Sequence, residues 1–110
     1  MIVREYLTRD GVSLYRRWLD TLDLSVRARV QARVLRFEIG NLGDHKHVGG
    51  GVWEARLDFG PGYRLYFCKL RPGVTVLIVG GDKSSQKRDI EVAKRAWADL
   101  LRAHKHGKTN

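Results

Sequence analysis

The chain has 110 residues, enough for one small domain with a single core, and 43% of them are hydrophobic. One cysteine, Cys68, excludes an internal disulfide and a multi-cysteine metal site, and no apolar run approaches the roughly 20 residues of a membrane span. The 21 Lys and Arg against 12 Asp and Glu give a net charge of +9, which favours nucleic acid, an anionic membrane surface or an acidic protein as partner.

The first half of the sequence predicts one strand and two helices. The opening "MIVREYLTRDG" is too charged for a signal peptide, which predicts a cytoplasmic protein, and "IVREYL" within it alternates as a strand. "VSLYRRWLDTL" and the segment after "LDLS" place apolar residues at helical spacing, so we expect two helices in an antiparallel hairpin. Arg29, Arg33 and Arg36 share one face of the second helix. No basic helix has an apolar face broad enough to favour a membrane surface.

The second half changes to the period of β-strands. "VWEARLDF" and "YRLYFCKL" alternate around the turn "GPG", whereas "VTVLIV" is apolar on both faces, as in a central strand. A last helix buries Ile90, Ala93, Trp97 and Leu100. The sequence therefore predicts a single α+β domain over residues 1–110. Its elements follow the order βααβββα, with a small antiparallel sheet packed against the N-terminal helical hairpin and a C-terminal helix. Residues 104–110 are expected to form a disordered basic tail.

The hairpin around Gly60–Gly62 carries the first candidate site. If the residues flanking this loop pair directly, Arg56 faces Tyr66 and Asp58 faces Arg64 on the side of the sheet away from the core. This pairing predicts two arginines and a tyrosine on an open face that a ligand can reach. The alternative is an ordinary cross-strand ion pair with a tyrosine packed on an arginine stem.

The segment "GGDKSS" after the central strand carries the second candidate site. Gly80 and Gly81 would let RNA approach the backbone, and Ser84 or Ser85 would cap the following helix. Lys83 stands at this strand–helix junction, where a cation suits an anion such as phosphate. A solvated loop with a surface lysine is the alternative.

The loop "GDHKHVGGG" supplies further candidates for RNA contact, namely His45, Lys46 and His47, and Lys87 and Arg88 near the start of the last helix are others. Histidine has an intrinsic pKa near ~6.5, which suits proton transfer, and the glycine run predicts a flexible loop. An H-x-H pair is also found in zinc sites. With Asp44 alone beside it the ligand set is incomplete, so we expect no metal and no cofactor.

Two segments, "GVWEARLDFGPGYRLYF" and "VGGDKSSQKRDIEVAK", resemble the hallmark segments of the HigB-like branch of the RelE/ParE superfamily. That superfamily comprises toxins of type II toxin–antitoxin systems. The resemblance implies a small antiparallel sheet on a helical hairpin. It also implies one of two activities: cleavage of mRNA on the ribosome, as in RelE and HigB, or inhibition of DNA gyrase without cleavage, as in ParE. A cognate antitoxin, often with a helix-turn-helix domain, would bind the toxin in a complex.

The resemblance also implies roles for single residues. Arg64 matches the arginine that RelE-type nucleases place on the scissile phosphate, and Arg56 and Lys83 lie near further basic positions. Glu54 departs from a lysine of RelE, and "KRDIEVAKR" has no counterpart of the C-terminal tyrosine or histidine. We therefore predict an endoribonuclease, an mRNA interferase, with Arg56, Arg64, Tyr66 and Lys83 as catalytic residues. The alternatives are a ParE-like gyrase inhibitor and an inactive module that binds RNA or antitoxin.

Overall fold

The computed structural model describes the backbone of residues 1–108 and the side chains of residues 1–104. It shows an α+β fold, as the sequence predicts, with the following elements: β1 (Ile2–Glu5), α1 (Leu14–Asp20), α2 (Leu24–Glu38), β2 (His45–Gly49), β3 (Val52–Arg56), β4 (Arg64–Arg71), β5 (Val74–Gly81), a 3₁₀ turn (Lys83–Ser85) and α3 (Gln86–Lys108).

The strands form one sheet in the order β1-β5-β4-β3-β2. Neighbouring strands are antiparallel except for β1 and β5, which are parallel, so the sheet is mostly antiparallel, in agreement with the predicted fold class. β5 lies between β1 and β4, and its first five residues are all buried. Its uniformly apolar sequence is therefore explained by helices on both faces, as predicted.

Helices cover the sheet on both sides and divide the core in two. α1 and α2 cover a cluster that includes Leu19, Phe37 and Phe67, whereas α3 covers a second cluster that includes Cys68 and Trp97. The face of the β3–β4 hairpin that the sequence predicted to be open is the face under α3. A strand's alternation shows which residues share a face, but it does not show what covers that face.

The sequence placed His45 and His47 in a loop, but His45–Gly49 forms the edge strand β2. β2 pairs with β3, with His47 opposite Trp53. Gly49, Gly50 and Gly51 all have positive φ, so they turn the chain back tightly enough for the two strands to pair. Polar β2 has little strand propensity of its own, and the free edge of β3 supplies the pairing.

The register of the β3–β4 hairpin differs from the prediction by two residues. Arg56 lies opposite Arg64, so the predicted pairs of Arg56 with Tyr66 and of Asp58 with Arg64 do not form. The loop is longer than predicted, since the last cross-strand hydrogen bond runs from Leu57 N to Tyr63 O at 3.0 Å. A shift of two residues leaves every side chain on its predicted face.

Arg33 is a structural residue and not part of a solvated basic face. It is buried, and its Nη1 donates to the carbonyl of Arg56 at 2.6 Å. Its Nη2 donates to the carbonyls of Leu42 and Asp44, each at 3.0 Å. Burial, followed by the neighbouring charge of Arg36, lowers the pKa of Arg33. This one side chain ties α2 to the end of β3 and to the segment before β2.

α3 is the longest helix and extends to Lys108. The basic tail predicted from residue 104 begins within this helix, and residues 109 and 110 lie outside the part of the chain that the structure describes. No helix within residues 1–108 is both long and apolar enough to cross a membrane.

Replacement of Arg33 tests its structural role. Arg33→Met keeps the apolar stem but removes all three hydrogen bonds, so we expect a loss of at least about 2 kcal/mol in the free energy of unfolding. The exposed neighbour on the same helix provides the matched control, since Arg36→Met should change stability by less than about 0.5 kcal/mol. Urea unfolding followed by circular dichroism measures both, and equal midpoints would contradict the role.

Candidate anion-binding site

A buried carboxylate is the centre of the candidate site. Glu54 of β3 has an exposed fraction of 0%, and its Oε2 accepts hydrogen bonds from Gln86 Nε2 at 2.9 Å and from Tyr66 Oη at 3.1 Å. Arg56 Nε donates to Oε1 at 3.3 Å, and Arg64 Nε lies 3.5 Å from Oε2 in an ion pair. We call these five residues the Glu54 cluster.

The pairing of β3 with β4 assembles this cluster. Glu54 lies directly opposite Tyr66, and Arg56 directly opposite Arg64, so all four side chains share the face under α3. Gln86 is the first residue of α3, and the helix brings its amide onto the same face. Alternation along two strands and the start of one helix are therefore sufficient to build the site.

Glu54 remains ionised despite its burial. Burial alone raises the pKa of this carboxyl, but hydrogen bonds from Gln86, Tyr66 and Arg56 and the positive charge of Arg64 outweigh that effect and lower the pKa below its usual value. Burial, followed by the negative charge of Glu54, raises the pKa of Tyr66. Tyr66 therefore stays protonated and donates to Glu54 at neutral pH.

Tyr66 lies in a place that the sequence did not predict. Its exposed fraction is 0%, and α3 covers it, so it does not stand on an open face. A side chain without exposed atoms does not touch a ligand in this conformation. Tyr66 instead positions the Glu54 carboxylate that holds Arg56 and Arg64.

The guanidinium of Arg64 and the backbone of Lys83 both lie at the Gly60–Gly62 loop. Arg64 Nη1 donates to the carbonyl of Gly62 at 2.7 Å, and Lys83 N donates to the carbonyl of Pro61 at 3.3 Å. A Cβ atom built on Gly62 would lie 3.0 Å from Arg64 Nη1 and 3.3 Å from Lys83 Cβ. Glycine at this position therefore allows both cationic residues to approach one loop. We call Arg56, Arg64 and Lys83 the cation junction.

The "GGDKSS" segment is capped by a different residue from those predicted. Asp82 is the N-cap of the 3₁₀ turn, and its Oδ1 accepts from Ser84 N at 2.8 Å. Ser85 Oγ accepts from Asp82 N at 3.2 Å and donates to Asp89 Oδ2 at 2.5 Å. Ser85 therefore completes a capping box and anchors Asp89, whereas Asp82 provides the cap.

The two glycines of this segment make room for the protein's own side chains. A Cβ atom on Gly80 would overlap the ring of Trp18, and one on Gly81 would overlap the carboxylate of Asp89. The prediction that these glycines let RNA approach the backbone is therefore wrong. The space beside these two glycines is filled by Trp18 and Asp89 of the same chain.

The charges around the junction favour an anion. Near it lie three carboxylates and five cations: Glu54, Asp82 and Asp89, and Arg56, Arg64, Lys83, Lys87 and Arg88. Glu54 and Asp89 are buried, whereas Lys83, Lys87 and Arg88 are exposed and Arg56 is 44% exposed. An open cavity of about 350 Å³ lies beside the 3₁₀ turn, and its lining includes Tyr63, Arg88, Asp82 and Asp89. Two of the three acidic groups are thus buried, whereas all the basic groups except Arg64 are exposed.

The predicted RNA contacts on β2 lie apart from this junction. His45 and His47 lie opposite Ala55 and Trp53, on the face that α1 and α2 cover, whereas Lys46 lies opposite Glu54. The structure therefore does not bring the two histidines to the cation junction. Within residues 1–104, no group of three or more His, Cys, Asp or Glu side chains is arranged to hold a metal ion.

Sequence reasoning missed three residues of this region, namely Glu54, Gln86 and Asp89. The spacing of Glu54 two residues before Arg56 on a strand shows that they share a face. Ser85 and Asp89 stand four residues apart, at the spacing of neighbours on a helix. The position of Gln86 had no such signal, because it depends on where α3 packs.

No known family model matches this sequence. The chain is 44% identical over 84 residues to an uncharacterised protein of Haemophilus influenzae, an alignment that covers 76% of this chain and 85% of the relative. The chain belongs to the same family as that Haemophilus protein. Because the relative is itself described only as uncharacterised, membership of this family assigns no activity.

Replacement of Glu54 tests the buried ion pair. Glu54→Gln keeps the shape but leaves Arg64 without its counter-charge, so we expect a loss of about 3–5 kcal/mol in the free energy of unfolding at pH 7. The exposed pair of Glu5 with Arg16 provides the control, and Glu5→Gln should lower stability by about 1 kcal/mol or less. Equal losses in the two variants, measured by urea unfolding, would show that burial of Glu54 has no special effect.

The pH dependence of stability gives a second test. The pKa of Glu54 is lower in the folded state than its usual 4.5, so its contribution is complete above that value and disappears as the pH falls through the folded pKa. The stability difference between wild type and Glu54→Gln should therefore be constant near neutrality and shrink below pH 4.5. Glu5 and Asp82, whose pKa values are also lowered, are present in both proteins and cancel in the difference.

Proposed function

We propose that the protein is the toxin of a type II toxin–antitoxin system, a ribosome-dependent endoribonuclease that cleaves mRNA without a metal and so inhibits translation. The observation that carries this proposal is the cation junction. There a strand pair and a 3₁₀ turn bring Arg56, Arg64 and Lys83 together beside one loop, with the Glu54 carboxylate buried beneath the two arginines. Its members lie in the two segments that resemble the HigB-like branch of the RelE/ParE superfamily.

The junction suits the chemistry of RNA cleavage. A base takes the proton of the 2′-hydroxyl as its oxygen bonds to the adjacent phosphorus, the bond from phosphorus to the 5′-oxygen breaks, and an acid protonates that oxygen, so negative charge grows on the phosphate oxygens in between. Preorganised cations stabilise that charge. Arg64 is held by Gly62 and Glu54 on its inner side, which fixes its guanidinium before a ligand arrives. Lys83 and the exposed part of Arg56 would contact the same anion.

The proposed partners follow from the same features. The ribosome and mRNA would provide the phosphate, which would place the protein in the cytoplasm. A cognate helix-turn-helix antitoxin would cover part of the basic surface in the resting complex, since the net charge of +9 favours an acidic partner. Lys87 and Arg88, exposed beside the junction, would contact the RNA backbone.

A second candidate is inhibition of DNA gyrase without cleavage, in the manner of ParE. The burial of Tyr66 and Glu54 favours it, because these two ionisable groups of the cluster expose no surface for proton transfer to a substrate. Under this candidate the same cations would contact a protein or DNA surface and would not activate a phosphate.

Conservative variants at the junction test the nuclease proposal. Arg64→Lys keeps the charge that neutralises Glu54 but loses the planar guanidinium, and we expect mRNA cleavage on translating ribosomes to fall about 10- to 100-fold. In Lys83→Gln, mRNA cleavage should fall by a similar or smaller factor, because this substitution removes one charged contact. Primer extension on the mRNA measures cleavage, and circular dichroism confirms the fold. Arg102→Gln, on an exposed arginine paired with Asp99 late in α3, should cleave as wild type does.

Full cleavage by a folded Arg64→Lys variant would contradict the role of the junction in RNA cleavage. If the wild-type protein leaves mRNA intact on translating ribosomes but inhibits supercoiling by gyrase in a purified assay, the second candidate replaces the first.

A further inference from the structure

An aromatic and cationic patch lies on the sheet face opposite the cation junction. The ring of Trp53 lies 5.1 Å from the ring of His47 and 5.6 Å from that of His45. Lys69 Nζ lies 3.9 Å from the centre of the Trp53 ring. We call Trp53, His45, His47 and Lys69 the Trp53 platform.

Three neighbouring strands place these side chains together. His47 of β2 lies opposite Trp53 of β3, which lies opposite Phe67 of β4, and Lys69 follows two residues later on the same face. β2 is an edge strand, so this end of the sheet has no further strand beside it. Trp53 and His45 are half-buried, whereas His47 and Lys69 are exposed. An indole and an imidazole are thus presented at the border of the sheet.

No role in packing accounts for the full set. Trp53 packs against the edge of the core that α1 and α2 cover, but His47 and Lys69 lie outside that core. The ion pairs formed within residues 1–104 do not include Lys69. Its ammonium lies over the Trp53 ring, so a phosphate that approaches this side of the indole would meet a charge that no carboxylate of these ion pairs neutralises.

The composition of the platform favours unpaired bases over a protein partner. Proteins that bind single strands combine aromatic rings, on which bases stack, with cations that follow the backbone. A protein-docking surface would be expected to present large apolar side chains, and the most exposed of these, Leu24, Leu35 and Ile39, belong to α2 and its C-terminal end. The platform instead offers rings and positive charge.

We propose that the Trp53 platform binds an unpaired base of single-stranded RNA, with Trp53 and His47 stacking on the base and Lys69 contacting a phosphate. The inference rests on the proposed function for its ligand. Lys46, exposed on the other face of β2 between the two histidines, lies between the platform and the Glu54 side of the sheet. An RNA strand that crosses the β2 edge would therefore contact the platform and Lys46 together.

Binding of a non-cleavable oligonucleotide tests the platform apart from catalysis. The probe is 2′-O-methyl oligouridine with a fluorescent label, in which the attacking hydroxyl is blocked. Trp53→Leu should weaken binding by about 5- to 150-fold, the range expected for loss of one base–aromatic stack. Trp53→Phe, which retains a ring, should stay within about threefold of wild type. Lys69→Gln should weaken binding and reduce its salt dependence, whereas Arg102→Gln on exposed α3 should leave binding and cleavage unchanged.

Tryptophan fluorescence gives a second measurement that does not depend on the stability of Trp53→Leu. The chain has three tryptophans, and stacking of a base on Trp53 should quench part of the wild-type emission. That quenching should be absent from Trp53→Phe even though this variant still binds the oligonucleotide. Retention of the quenching in Trp53→Phe would contradict the stacking of a base on Trp53.

The outcomes separate this inference from the proposed function. Wild-type affinity in a folded Trp53→Leu variant, together with normal mRNA cleavage, would overturn the platform and leave the nuclease proposal intact. Loss of oligonucleotide binding in Trp53→Leu, together with absence of cleavage by wild type on ribosomes, would support the platform and reject the nuclease. Quenching by an acidic peptide and not by oligouridine would overturn RNA as the ligand.

Discussion

The burial of one carboxylate constrains the arrangement around it. An ionised Glu54 inside the protein is tolerable only if charges and hydrogen-bond donors surround it, because the transfer of an unpaired charge out of water is prohibitively costly. Its donors come from β3, β4 and α3, which are separated in the sequence. The carboxylate therefore receives its hydrogen bonds only if the β3–β4 hairpin has the correct register and α3 packs at the correct position on the sheet.

The same constraint organises the cationic surface. The side of Arg64 that faces Glu54 is fixed by the carboxylate and by Gly62, so its guanidinium has little freedom to reorient. Buried acidic groups hold basic groups from beneath, and the excess of positive charge faces solvent. An anion that binds there meets cations that are already ordered, which reduces the conformational entropy lost on binding.

The two faces of the sheet use buried charge in different ways. Under α3, a carboxylate and two arginines neutralise one another, and this arrangement positions side chains at the edge of the sheet. Under α2, Arg33 satisfies backbone carbonyls from two segments and has a purely structural role. A charged residue in an amphipathic sequence can thus be part of a site or part of the framework. The sequence alone does not distinguish the two roles, since Arg33, Arg56 and Arg64 all stand at positions that periodicity assigns to a polar face.

Periodicity and turn chemistry determined most of the fold, because side-chain direction follows from spacing alone. They were sufficient to predict the α+β class, the central position of β5, both helices of the N-terminal hairpin and the faces of β3 and β4. The approach of Arg64 to the turn at Lys83 was predictable too, because antiparallel pairing of β4 with β5 places Arg64 opposite Gly81, two residues before Lys83. Tertiary structure alone decided the strand β2, the hairpin register, the burial of Tyr66 and Glu54, and the packing of Trp18 and Asp89 against the two glycines. Each of these depends on which distant element packs against a given face, and local spacing carries no information about a neighbour that is remote in the chain.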